Sequence, residues 1–555
     1  MNFIIQKISS VDCFKNRYFQ LGLLFLIALI PRAVCVWQIQ HSVLADYLQL
    51  DAETYDQWGQ FLASGQGGSA NFAGMPLYAY FLGGLYRLFG HQLLAVRIVQ
   101  IILGAMTCTA TCLIAKKMSG SIRAGLGAFA VALLFRPAVF YEMFPLTESL
   151  CAFLCACLLL LLLNVGEKSR FIKMFFAGIL AGLGVALRVN FCAVLFALAL
   201  WIFFNFQRPR VKILLSFLIG AAFILVPFAI QNQSSGKNSF FSGYNPGISF
   251  FLGNGPQADG RFPRFPVTLF TGDMDLPQIM RHAAESRTGK HLTERELSSF
   301  WFHEAFNHIQ RHPGQFARLL FSKMRLLVSG FEMPDIFSVP FLTPFVPVLY
   351  LLPLNFFWLL PLAFAGMAIC FASDKQQKLL ALFFAFYAAT IVAILVHERY
   401  KIPLYPLLAV YAACGINGFF KKEMPRWRKI AALGIFLLLL VASTDKLFIK
   451  PYEVSPYAGY QLLGRHYLGK GSFPEAVAML RKYVETAPAS RIVDAHNSLG
   501  IALDRNHQWK EAEREYLAAL KLDPSYPFAR VNLQRMRTEL QVRIEDAFGK
   551  VKLKK

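Results

Sequence analysis

Residues 147–165 read TESLCAFLCACLLLLLLNV, and from Leu150 to Leu163 no side chain in that run carries a charge. A helix crosses the ~30 Å hydrocarbon core of a bilayer in about 20 residues, and its backbone polar groups must be satisfied internally there. The run is therefore a membrane span, with Glu148 at its start. Comparable runs lie at 19–39, 93–115, 121–138, 171–188, 190–206, 211–230, 346–371, 379–396, 402–419 and 430–448. Together they predict about eleven transmembrane helices, and 76–90 predicts a further, interfacial one. A chain that is 56% hydrophobic with mean hydropathy +0.44 is too apolar for one soluble fold. The fold class is an all-α polytopic membrane protein.

In a soluble chain the net charge of +23 would suggest a nucleic-acid partner. Its placement argues otherwise. Lys7, Lys15 and Arg17 precede the first span. Lys116-Lys117, Lys168 with Arg170 and Lys173, Arg208 with Arg210 and Lys212, Lys375 with Lys378, and the run from Lys421 to Lys429 occupy alternate short loops. That positive-inside pattern puts the N-terminus in the cytoplasm. After an odd number of spans, everything past residue 449 lies outside. The expected location is a bacterial cytoplasmic membrane, with the bilayer and not nucleic acid as partner. Val34 spoils a lipoprotein cleavage pattern before Cys35, so the first span is expected to stay as an anchor. All ten cysteines lie outside 231–345 and 449–555. The external regions are thus built without disulfides, and Cys151, Cys155 and Cys157 read as small packing residues.

Three regions lie between or beyond the spans of this 1–448 membrane domain: a first outer loop at 40–92, an extracytoplasmic insertion of mixed structure at 231–345, and a tail at 449–555. The insertion is too long to be an empty connector. In the tail, Leu463-Gly464, Tyr467, Ala476 and Pro488 recur as Leu499-Gly500, Leu503, Ala512 and Pro524, with Tyr516 and Ala519 in two further expected positions. Small residues where paired helices touch, and a proline ending the second helix, make this a tetratricopeptide repeat. Leu533 and the charged helix after it read as a cap. The α-solenoid so predicted is an accessory module that can engage a protein partner.

The first outer loop holds Leu50-Asp51-Ala52-Glu53-Thr54-Tyr55-Asp56-Gln57, three carboxylates at a membrane surface where a general base would meet a lipid-borne substrate. Arg32, Arg97, Arg136, Arg188, Arg399 and Lys401 fall at predicted outer ends of spans, against the positive-inside pattern. Charge at a membrane edge is costly enough to need a partner or a function. Snorkelling, or pairing with Glu142, Glu148 and Glu398, explains any one of them. As a set they describe an outward cavity of cations and carboxylates, fit to hold a phosphate and activate a hydroxyl.

Several stretches occur in an order that resembles a known family. They are Asp51-Ala52-Glu53-Thr54-Tyr55-Asp56, Pro76-Leu77-Tyr78, Leu85-Tyr86, Phe89-Gly90-His91 and Arg97-Ile98-Val99-Gln100. Further on come Thr147-Glu148-Ser149, Leu187-Arg188-Val189-Asn190, the run from Gly247 to Asn254, and Glu398-Arg399-Tyr400-Lys401-Ile402-Pro403. The chain resembles bacterial GT-C superfamily membrane glycosyltransferases of the family 39 type, the group of protein O-mannosyltransferases related to the aminoarabinose transferase of lipid A. Members with a tetratricopeptide tail are familiar. The resemblance implies a sugar donor on polyprenyl phosphate and an extracytoplasmic acceptor, protein or glycan. It also implies inverting transfer with Asp51 as general base. Arg188, Arg399 and Lys401 would clamp the donor phosphate, since guanidinium matches phosphate bidentately. Glu148 would orient the acceptor or help hold a divalent ion, the cofactor question being open. Relatives often carry an adjacent Asp-Glu pair where this chain has Asp51-Ala52, which leaves Glu53 and Asp56 as alternative acids.

Other features carry less. His303-Glu304 and His308 approach a zincin pattern, but five-residue spacing takes the histidines off one helix face. Glu304, His308 and His312 share a face on a surface helix ending at Pro313. Gly243 to Gly260 reads as a loop of turns whose amides could meet a phosphate. Phe300-Trp301-Phe302 with Phe306 and Ile309 reads as a helix face resting on the membrane domain or bilayer. Two other function classes fit the same topology. One is an oligosaccharide polymerase or ligase of surface polysaccharide assembly, which would depend on outer-loop arginines. The other is a non-catalytic envelope-assembly scaffold, which would fail outright without 449–555.

Overall fold

The computed structural model describes residues 16–65, 77–207, 209–234, 245–260, 276–330, 337–370, 375–444 and 456–552. Among them the chain is helical, and its one β-bridge is an isolated parallel pairing of Phe135 with Leu354. The chain divides into two compact units: residues 1–331 with 345–450, and residues 332–344 with 451–555.

The first unit runs α1 (Arg17–Gln40), α2 (Asp51–Ala63), α3 (Leu77–Phe89), α4 (Leu93–Ser119), α5 (Ile122–Leu133), a short helix Arg136–Tyr141, α6 (Glu148–Leu163), α7 (Arg170–Leu187), α8 (Phe191–Asn205) and α9 (Arg210–Ser234). After the insertion helices α10 (Pro246–Asn254), α11 (Leu276–Thr288), α12 (Glu294–Arg311) and α13 (Pro313–Val328) come α14 (Phe356–Cys370), α15 (Lys375–Ala393), one turn Glu398–Lys401, α16 (Tyr405–Phe419) and α17 (Arg426–Ala442). Among the described residues the apolar runs overlap helices, though 121–138 divides between α5 and the short helix after it and 346–371 is α-helical only from Phe356. Among the described residues, six helices are long and apolar enough to cross a membrane alone, and four shorter apolar ones stand with them. The further helix expected at 76–90 is α3.

Glycine sets how closely these helices cross. A Cβ on Gly178 of α7 would stand 1.9 Å from the Phe217 carbonyl oxygen, and one on Gly220 of α9 would stand 2.0 Å from that of Phe175. Gly366 of α14 meets the Tyr411 carbonyl at 2.0 Å in the same sense. Small residues at such crossings let backbones approach where lipid offers no hydrophobic drive. Gly366→Val should therefore cost about 1–3 kcal/mol or more through overpacking against backbone. Gly84→Ala, with nothing within 4 Å, should be neutral. Thermal unfolding of the two variants in detergent checks the contrast.

The insertion differs from the sequence expectation in two ways. Its described part is helical rather than mixed, and within the stretch read as turns, 243–260, residues Pro246–Asn254 form α10 while 255–260 are turns. Asn245 caps α10 by accepting from the Ile248 amide, and Pro246 occupies its first turn. Trp301 and Phe300 rest on the insertion's own core of Ile248, Phe251, Leu252, Met280 and Ala284, not on the membrane helices. Phe302 and Phe306 meet Phe250, with ring centroids 5.2 Å away in each case.

In the second unit, α18 (Tyr457–Lys470) and α19 (Phe473–Thr486) form one hairpin, α20 (Ile492–Arg505) and α21 (Trp509–Leu522) a second, and α22 (Pro527–Lys552) follows. Gly464 lies under Leu480, and Gly500 under Tyr516, as the repeat register requires. The second unit begins at 451, within two residues of the 449 expected from composition, and it also takes in 332–344. Phe341, from the end of the insertion, packs on Gly459 and sits 5.1 Å from the Tyr460 ring, so 332–344 belongs with the repeats.

Candidate active site

Four segments far apart in sequence deliver one charged cluster. Asp51 is the first residue of α2, Glu148 the first of α6, Arg188 caps the end of α7, and Arg399 lies in the single turn after α15. Both acids thus sit where a helix N-terminus favours negative charge. Arg188 donates through Nη2 to Glu148 Oε1 and through Nε to Thr147 Oγ1 at 2.9 Å. Arg399 reaches the same Glu148 oxygen with Nε at 3.2 Å and pairs with Asp51 through Nη2. The Tyr400 ring has the Arg188 guanidinium 5.2 Å and the Arg399 guanidinium 5.6 Å from its centroid. Tyr55 faces the cluster from α2. Burial, then the Asp51 charge, holds its phenol well above the usual range.

The acids differ in access. Glu148 is 0% exposed, whereas the Asp51 side chain is 53% exposed. Asp51 is thus open to solvent and Glu148 is closed to it. Glu53 is exposed, and Gln57 donates to it at 3.5 Å. Asp56 points the other way: Tyr86 donates to Oδ1, Gln60 Nε2 to Oδ2 at 2.7 Å, and His91 Nε2 lies 3.0 Å from Oδ1. It tethers α2 to α3, whose crossing is tight because Gly59 abuts Leu82 and Gly83 abuts Leu62. Leu50, just before Asp51, has φ +53°, a strained conformation for a non-glycine residue at the entry to the site.

The other cations that break the positive-inside pattern are placed as follows. Arg32 pairs with Glu142 at 2.9 Å, both buried, against Gly104. Arg97 donates to the carbonyls of Met143 and Ala45 and to Gln40. Gln100 beside it binds the carbonyls of Glu142 and Phe144. These bonds pin the buried 142–146 turn that leads into Glu148. Lys401 donates to the Ser329 carbonyl at 3.1 Å and lies 4.5 Å from the Phe356 ring centroid, tying the end of the insertion to the bundle.

Sequence reasoning reached the four charges but not what surrounds them. Thr147 and Tyr400 stood inside quoted motifs without a role. Tyr86 and His91 were part of the family pattern, a signal that Asp56 had fixed partners. A divalent ion does not fit this donor set, since Glu148 Oε1 already faces two guanidinium groups and cationic neighbours repel a metal. Among the described residues no three of His, Cys, Asp and Glu group to hold an ion. Glu304 instead pairs with Arg287 at 3.4 Å.

Residues 73–231 match the family model described as dolichyl-phosphate-mannose-protein mannosyltransferase, and 493–526 match the tetratricopeptide repeat. The first match spans Glu148 and Arg188. The chain thus carries a stretch similar to that mannosyltransferase family and a tetratricopeptide repeat in its tail. No curated protein matches significantly. Among solved structures, the chain is similar to the Archaeoglobus fulgidus oligosaccharyltransferase tethered to an acceptor peptide with the NVT sequon. Identity there is 13% and the TM-score 0.41, over 86% of this chain and 60% of that one. It is also similar to ArnT from Cupriavidus metallidurans bound to undecaprenyl phosphate, at 12% identity and TM-score 0.45, over 93% of this chain and 77% of that one.

Proposed function

We propose that the chain transfers a sugar from a polyprenyl-phosphate donor to an acceptor hydroxyl on the outer side of a bacterial cytoplasmic membrane, inverting the anomeric centre. The observation that carries this reading is the convergence of Asp51, Glu148, Arg188 and Arg399. The acceptor oxygen attacks the anomeric carbon, and the bond from that carbon to the phosphate oxygen breaks. The hydroxyl proton passes to Asp51. The phosphate leaves with its electron pair and needs charge stabilisation rather than a proton, which Arg188 and Arg399 supply bidentately. Lys401, across the same turn, adds positive charge. In this cluster two guanidiniums balance two carboxylates. A donor phosphate therefore takes over Arg399 from Asp51, leaving Asp51 to meet the acceptor. The repeats serve to engage a protein partner or the acceptor's carrier.

The test is release of polyprenyl phosphate by purified protein given a panel of polyprenyl-phosphate monosaccharides and a crude envelope acceptor. Turnover with one donor names the sugar. Arg188→Ala should lose donor use with the fold kept, because Glu148 retains Arg399. Wild-type donor binding and turnover in that variant would remove Arg188 from the site.

A further inference from the structure

Lys323, in the middle of α13, is 0% exposed, an unusual place for an ammonium group. Its Nζ donates to the Ile394 carbonyl at 2.6 Å and to Asn254 Oδ1 at 2.8 Å. The Asn254 amide donates in turn to the Ala393 carbonyl at 3.0 Å. Ala393 is the last residue of α15. The final carbonyls of a helix have no partner within it and carry its negative end, where a cation is stabilised. The helix terminus is thus the counter-charge of this lysine. Burial alone pushes its pKa down to about 8, which leaves it largely charged at neutral pH.

The same few residues lead into the site. A Cβ on Gly253 would stand 1.9 Å from the Ile394 carbonyl oxygen, so α10 lies directly against this link. The Val396 amide donates to the Gly260 carbonyl at 3.1 Å. His397 then caps the turn by accepting from the Arg399 amide. From Ala393 to Val396 the chain is therefore held by the insertion, the His397 cap carries on from there, and Arg399 is the group that touches both Asp51 and Glu148.

We propose that Lys323 is a positioning residue for the transferase site: by clamping the carbonyl end of α15 together with Asn254, it sets the place of Arg399 and so the affinity for the donor phosphate. The proposal rests on Arg399 being a phosphate clamp. It gives the extracytoplasmic insertion a part in donor binding without touching the donor.

The experiment uses the full chain in detergent, with a polyprenyl-phosphate probe for binding and donor-dependent turnover alongside. Lys323→Met should weaken probe binding and raise the donor KM by about tenfold, leaving the acceptor KM unchanged. Lys323→Arg, which can still reach both carbonyl-side acceptors, should restore most of the loss. In an Arg399→Ala background, Lys323→Met should weaken probe binding no further, because the two act as one unit. Full additivity there, or unchanged binding in Lys323→Met, would overturn the proposal. Should Lys323→Met fail to fold, Asn254→Ala removes part of the same clamp and should shift probe binding in the same direction; unchanged binding in it would also overturn the proposal. If Arg399→Ala itself binds and turns over like wild type, the donor-clamp reading fails. If Arg399→Ala loses binding while Lys323→Met does not, only the role of Lys323 fails.

Discussion

Asp51→Asn should lower turnover by about 10²–10⁴-fold, the usual worth of a general base, while the protein unfolds at an unchanged temperature. The side chain is half exposed and its one described ion pair is with Arg399, so the amide replaces it without leaving a buried group unpaired. Asp56→Asn should do the reverse. It would weaken the bonds from Tyr86, His91 and Gln60 at a buried position, costing about 1–3 kcal/mol, yet leave turnover within a few-fold once folded. Polyprenyl-phosphate release and thermal midpoints for the two variants separate catalytic acid from tether. Equal activity of Asp51→Asn and wild type would make Asp51 structural and end the mechanism given above.

The contrast also shows how far the sequence could be read. Apolar runs of spanning length locate the helices because a bilayer leaves the backbone no alternative. The repeats declare themselves through Gly464 and Gly500, where a Cβ would stand 2.4 Å from Leu480 and 2.6 Å from Tyr516. The cations that break the positive-inside pattern point toward the site, because charge there is costly. Their pairing is invisible in one dimension. Arg188 and Arg399 lie on opposite sides of the insertion, and nothing local says that both meet Glu148 Oε1. Asp51 and Asp56 are alike until α3 brings Tyr86 onto one of them. The stretch from Pro246 to Asn254 looks like a loop by composition, though the Asn245 cap and the proline after it are start signals for a helix. Lys323 stands in sequence beside Phe321, Met324 and Leu326, where nothing local singles it out. Only the fold shows it facing the end of α15.

Glu148→Ala should be the most damaging single change in the site, and for a reason different from Asp51→Asn. Glu148 is fully buried, and one of its oxygens accepts from Arg188 and lies 3.2 Å from Nε of Arg399. Its removal leaves two guanidinium groups side by side at a desolvated position without their shared counter-charge. Breaking a buried pair from one side costs about 3–5 kcal/mol, and here two cations lose the same partner. The protein should unfold at a markedly lower temperature, and any folded fraction should be inactive because the clamp has come apart. Glu148→Gln divides the two effects. The amide keeps the shape and one acceptor oxygen, so the fold should survive, while the cluster gains a net positive charge. A polyprenyl-phosphate probe should then bind at least as tightly as to wild type, since phosphate no longer competes with a second carboxylate, yet turnover should fall because the arginines are less firmly held. Probe affinity and single-turnover rate measured on this variant decide the matter. Wild-type turnover would mean that Glu148 merely fills space, and lost affinity with intact folding would mean that it orders the phosphate site more than it opposes the phosphate charge.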